Sequence, residues 1–114
     1  MEEVLRQTLL YDFYGELLTE HQREVYEAVV QNDLSYSEAA EEFGVSRQGV
    51  HDLVKRSEKI LEDYESKLHL VERFLKIRAK AEQILELSTH YEEIDAQSFA
   101  EQTASLSAQI LEEL

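Results

Sequence analysis

The chain has 114 residues, with 43% hydrophobic and 32% charged side chains, no proline, no cysteine, three glycines and a formal net charge of −14. One modest core fits that length, with little room for a cavity walled off from water. The missing cysteines exclude disulfides, thiolate metal sites and thiol nucleophiles, and the scarcity of turn residues favours a few long helices over strands. No stretch approaches the ~18 consecutive apolar residues of a membrane span. The acidic start Met1-Glu2-Glu3-Val4 does not read as a secretory signal, so the expectation is a cytoplasmic protein with no membrane partner.

In chain order, Leu5, Leu9, Leu10, Phe13 and Leu17 recur at helical spacing and predict an amphipathic helix over residues ~3–17. Thr19 and Gln22 form a capping-box pattern that opens a second helix. That helix carries Val25, Tyr26, Val29 and Val30 on its buried stripe and ends near Asn32-Asp33. Ser35 and Glu38 repeat the box and open a short third helix, with Ala39, Ala40 and Phe43 facing inward. Gly44 stops it at a position expected to need positive φ. Ser46 caps a fourth helix, from which a 4-3 spacing persists through Val50, Val54, Ser57, Leu61, Tyr64, Leu68, Val71 and Leu75. That run fits one extended helix or two, and a break near Ser66 is favoured, with the next helix reaching about Thr89. A last helix, from about Asp95 to Glu113, carries Phe99, Leu106, Ile110 and Leu111. The fold class is therefore all-α with about six helices. Residues 1–65 form a three- or four-helix unit, and 66–114 form an acidic extension of longer helices for oligomerisation or regulation.

Tyr36–Lys55 meets the requirements of a helix-turn-helix one after another. Ala40 supplies the small residue where the second helix crosses, and Gly44 follows four residues later at the turn. Ala39, Phe43, Val45, Val50 and Leu53 supply the inner apolar faces. Outward on the second helix lie Ser46, Arg47, Gln48, His51, Asp52 and Lys55, the flank that enters the major groove in this motif. Arg47 suits guanine O6 and N7, and Gln48 suits adenine N6 and N7; with His51 and Lys55 they are the candidates for base edges. Ser46 at the positive helix end, Arg56 and Lys59 are the candidates for phosphate. The expected partner is double-stranded DNA.

The segments Leu18–Val25 and Leu34–Ala40, then Gly44-Val45-Ser46 and Val50, resemble region 4 of bacterial sigma factors over residues ~18–62. The full chain resembles the YlxM family, small helix-turn-helix proteins of Gram-positive bacteria whose genes lie beside those of signal recognition particle components. The resemblance implies a regulatory role in that pathway, through DNA or through a protein or RNA partner in the particle. Sigma factors also carry a core-polymerase-binding domain and a promoter-melting segment, neither of which is found here. The chain is therefore not expected to work as a sigma factor, although an anti-sigma or polymerase-associated mimic of region 4 stays open.

Charge is uneven. Residues 81–114 hold eight acids and no base, whereas the first 80 residues hold all 11 bases against 17 acids. Arg73, Lys76, Arg78 and Lys80 form the densest basic stretch. It reads as a second phosphate-contacting surface or, the favoured reading, as a solvated helix face paired with the acidic tail, which can also fold against the reading helix and compete with nucleic acid. The heptad from Val54 to Leu75 fits a dimer seam or the inner stripe of a helix on its own core, and a homodimer through the C-terminal helices is expected. The scattered His21, His51, His69 and His90 lack metal-ligand spacing. No phosphate loop or nucleophile–base order appears, so neither a cofactor nor an enzymatic activity is expected.

Overall fold

A computed structural model describes residues 2–114, which leaves Met1 of the acidic start outside the described residues. Its elements are α1 (Glu2–Tyr14), α2 (Glu20–Tyr26), α3 (Tyr36–Phe43), α4 (Arg47–Leu68), α5 (Leu70–Thr89) and α6 (Ala96–Glu113). Short 3-10 turns follow α1 at Gly15–Leu17 and α5 at Tyr91–Glu93, and a π turn extends α2 over Glu27–Gln31. The fold is all-α, with no strand among the described residues. No helix is long and apolar enough to cross a membrane.

Both expected capping boxes form. Thr19 Oγ1 accepts the Gln22 N–H at 3.2 Å while Gln22 Oε1 accepts the Thr19 N–H at 2.9 Å. Ser35 and Glu38 repeat the exchange at 3.0 and 3.1 Å. Each box satisfies two backbone donors that a helix start would leave to water, and so sets where α2 and α3 begin. Asp95 caps α6 in the same way, its carboxylate accepting the Ser98 N–H at 2.8 Å.

The chain divides into two compact units, one through His69 and one from Leu70 to Leu114. In the first, α4 packs against α1, α2 and α3. Val50, Val54, Ser57 and Leu61 form its buried stripe, among a core that includes Leu10, Val25, Tyr26 and Ala39. Burying each Val or Leu contributes roughly 1.5–3 kcal/mol, so the stripe and the residues it packs on together outweigh the unit's surface contacts. Arg6 of α1 makes a forked pair with Glu62 of α4, an exposed contact that adds little beside the core. In the second unit α5 packs against α6.

Several expectations need correction. On α1, Phe13 and Leu17 are exposed, and Tyr14 and Leu18 take the core positions instead. Tyr14 is held inward by its hydroxyl, which donates to Glu65 Oε1 at 2.6 Å, and beyond it the 3-10 turn changes the angle between successive residues, bringing Leu18 inward in place of Leu17. On α2, the π turn interrupts the 3.6-residue phase, so Ala28 is buried while Val29 and Val30 are half-buried. Asp33, in the left-handed region at φ 56°, ends that segment.

The 4-3 run beyond α4 is two helices. The break falls at His69, three residues past Ser66, where φ 58° and ψ 27° close the helix and the His69 N–H reaches Glu65 O at 2.9 Å. Ser66 remains within α4, its hydroxyl donating back to the Asp63 carbonyl at 2.7 Å. The heptad therefore does not continue as one seam. Val54, Ser57 and Leu61 face the protein's own core, and Leu68 is exposed. On α6, Leu106 is buried and Phe99 and Ile110 are half-buried as expected, but Leu111 points to solvent.

Candidate nucleic-acid interface

The turn between α3 and α4 is built from three residues. Gly44 closes α3 at φ 67° and ψ 34°, a left-handed conformation that costs an L-residue its Cβ contacts. The Ala40 carbonyl accepts both the Gly44 N–H and, at 3.0 Å, the Val45 N–H, which ties the turn back onto the last turn of α3. Ser46 then starts α4 in extended geometry (φ −76°, ψ 157°), its hydroxyl accepting the Gly49 N–H at 2.9 Å.

The roles of the inner residues shift slightly. Ala39, at 0% exposure, is the small residue enclosed where α3 meets α4, while Ala40 is half-buried and serves through its carbonyl. Phe43 and Leu53 are half-buried, and Val45 is 37% exposed rather than inward.

With Val50 and Val54 turned into the core, the opposite flank of α4 faces water. Ser46, Arg47, Gln48, Asp52, Lys55, Arg56 and Lys59 are exposed, and His51 is half-buried. Arg47, His51 and Lys55 follow one another at i, i+4 spacing, with Gln48 and Asp52 in the adjacent row. Lys59 is not grouped with them. It continues the same i, i+4 row but lies 12 residues beyond Arg47, about 18 Å along the axis, and lines a cleft with Lys55, Glu3, Glu58 and Glu62.

The flank has internal chemistry. Gln48 Nε2 donates to Asp52 Oδ1 at 2.9 Å, and His51 Nδ1 lies 3.5 Å from the same oxygen. The Gln48 bond, then the His51 contact, hold the Asp52 carboxyl below the usual carboxylate range, so it is ionised near neutrality. Lys55 Nζ lies 3.6 Å from Glu58 Oε2. Arg47 carries no ion pair among the described residues and is the first cation a polyanion approaching the α4 N-terminus would meet.

One participant had no role assigned from the sequence. The Tyr36 ring of α3 meets His51 edge to face, with centroids 5.5 Å apart at 75°, and steadies the imidazole from the neighbouring helix. Its place at the start of α3, within the motif window, was the available signal; the contact itself depends on how α3 crosses α4.

A capped short helix, a left-handed glycine and a second helix with its N-terminal flank open to solvent define a helix-turn-helix protein. The comparisons agree. The family model described as "Putative helix-turn-helix protein, YlxM / p13 like" matches residues 1–103, and the chain belongs to that family, UPF0122. It is 49% identical over 85 residues to the UPF0122 protein of Caldanaerobacter subterraneus subsp. tengcongensis, covering 75% of this chain and 73% of that one. A Thermoanaerobacter relative (strain X514) is 49% identical over 83 residues, covering 73% of this chain and 71% of its own. The UPF0122 protein of Streptococcus pneumoniae (strain Hungary19A-6) is 48% identical over 86 residues, with 75% and 78% covered.

Proposed function

We propose that this protein is a cytoplasmic DNA-binding regulatory protein, without enzymatic activity, that reads duplex DNA through the N-terminal half of α4. The observation that carries the reading is the solvent-open flank from Ser46 to Lys55 on a helix whose opposite side is locked into the core. In this reading Arg47 donates to guanine, Gln48 engages adenine, and His51 and Lys55 reach neighbouring base edges. Asp52 makes no base contact in this reading; it holds Gln48 and His51 back on the same flank. Ser46, Arg56 and Lys59 meet phosphates, which set position without reading sequence. The resemblance to YlxM proteins supports a target among the genes or steps of the signal recognition particle pathway.

Titration of random-sequence duplex DNA with enrichment sequencing tests this directly. Wild type is expected to enrich a defined site and Arg47→Ala to lose it, with wild-type affinity falling steeply as salt rises. No enriched site for wild type overturns the proposal.

A second reading is favoured by one observation: Gln48 is already bonded to Asp52, within a chain of net charge −14. In that reading the same helices bind a protein or RNA component of the signal recognition particle. A protein partner held with little salt dependence supports it, and recovery of RNA polymerase subunits would point instead to a region-4 mimic.

A further inference from the structure

We propose that α5 and α6 present a two-helix apolar face that closes on a second copy of this chain, α5 of each copy lying against α6 of the other. The inference stands independently of DNA binding.

The hairpin is short of core. Among residues 70–114 only Val71 and Leu106 are buried. The helices run antiparallel, since six residues separate Thr89 from Ala96 and Lys76 Nζ lies 3.9 Å from Glu113 Oε1, joining the start of α5 to the end of α6. Ile77, Ile84 and Leu87 share one side of α5 and, with Phe99, Leu106 and Ile110 of α6, mark the seam, while Leu75 lies off it beside Val71. At about 100° per residue, Ala81 and Leu85 lie about a quarter turn on from the seam of α5. Leu114, Ala100, Leu111 and Ala104 lie about 60–140° on from the seam of α6, centred a little past a quarter turn. Equal rotation in the same sense on two antiparallel helices leads to the same side of the pair. All six residues are exposed, Leu85 at 64% and Leu111 at 69%.

Charge selects both the occupant and the arrangement. Residues 73–80 carry Arg73, Lys76, Arg78 and Lys80 and no acid, whereas α6 and its cap carry Asp95, Glu101, Glu112 and Glu113 and no base. A two-fold axis along the hairpin sets each α5 against the partner's α6, the basic stretch level with Glu112 and Glu113 of the partner subunit. The alternative axis across the hairpin would set the two acidic α6 helices on each other. The favoured register follows the Lys76–Glu113 level and places Leu85 opposite the partner's Ala104, large against small. Two helices about 10 Å apart over some 14 residues offer roughly 500 Å² per copy, about 1,000 Å² for the pair, the lower range for a specific dimer.

Sedimentation equilibrium of the full chain at tens of micromolar is expected to give twice the chain mass. The Leu85→Glu/Leu111→Glu variant should give the single-chain mass with its helical circular dichroism retained. A wild type at single-chain mass, or a folded variant that stays dimeric, overturns the proposal. Should the variant unfold, an equimolar mixture of Leu85→Cys and Ala104→Cys single variants gives the answer, because the chain has no cysteine of its own. Air oxidation should join one of each kind. Failure of the mixed species to exceed the two like-with-like species overturns the arrangement.

Discussion

Gly44 offers a clean measurement of what the turn of the helix-turn-helix costs. A Cβ built at this position meets nothing within 4 Å, so Gly44→Ala introduces no clash and its effect is the backbone's alone. Holding an L-residue at φ 67° costs about 1–2 kcal/mol. Stiffening the unfolded chain returns about 0.4–1 kcal/mol of that. The expected net loss is about 1 kcal/mol, which for a unit of this size lowers Tm by roughly 4–8 °C. Gly44→Asn should lose clearly less, because asparagine tolerates the left-handed region. Urea and thermal denaturation followed by circular dichroism read both variants. If alanine proves as stable as glycine, or asparagine as damaging as alanine, the left-handed turn is not what glycine supplies here.

Gly49→Ala should behave differently. Helix propensity favours alanine by about 1 kcal/mol, but the new Cβ would lie 3.0 Å from the Ser46 hydroxyl that caps α4. Near-zero change is expected in wild type and stabilisation of about 1 kcal/mol in a Ser46→Ala background, read by denaturant midpoint. Ser57 is fully buried on the core stripe with its hydroxyl unpaired, so Ser57→Ala should be neutral or stabilise by up to about 1 kcal/mol; a loss above that range would mean the hydroxyl has a partner. Asp52→Ala releases Gln48 and His51 and removes an acid from the reading flank; fluorescence anisotropy should show tighter DNA binding, and weaker binding would make Asp52 a contact residue. Asp95, held below its ordinary range first by the Ser98 N–H, contributes stability above its unfolded pKa that is lost as pH falls through the acid range. Acid titration should therefore lower α6 helicity in wild type and change Asp95→Asn much less.

The local signals in the sequence were decisive where the controlling interaction spans only three or four residues. Thr19/Gln22, Ser35/Glu38, Ser46 and Asp95 each cap their helices, and Gly44 adopts positive φ, because a cap is satisfied by the residues just after it. The inner stripe Val50, Val54, Ser57, Leu61 was legible for the same reason, since regular α4 geometry carries the spacing unbroken. The outward flank of α4 follows from that stripe by subtraction.

Periodicity failed where the helix changed type. The 3-10 turn after Tyr14 and the π turn after Tyr26 altered the phase, and so placed Leu18 rather than Leu17, and Ala28 rather than Val29, in the core. The sequence by itself determined where α2, α3 and α4 start and where α3 stops, because those choices are settled by hydrogen bonds within one turn. Only the tertiary structure decided that α4 ends at His69, that Tyr36 packs on His51, and that Leu85 and Leu111 remain uncovered. Those outcomes depend on how separate helices cross, and the angle of a crossing is set by side chains from both partners together.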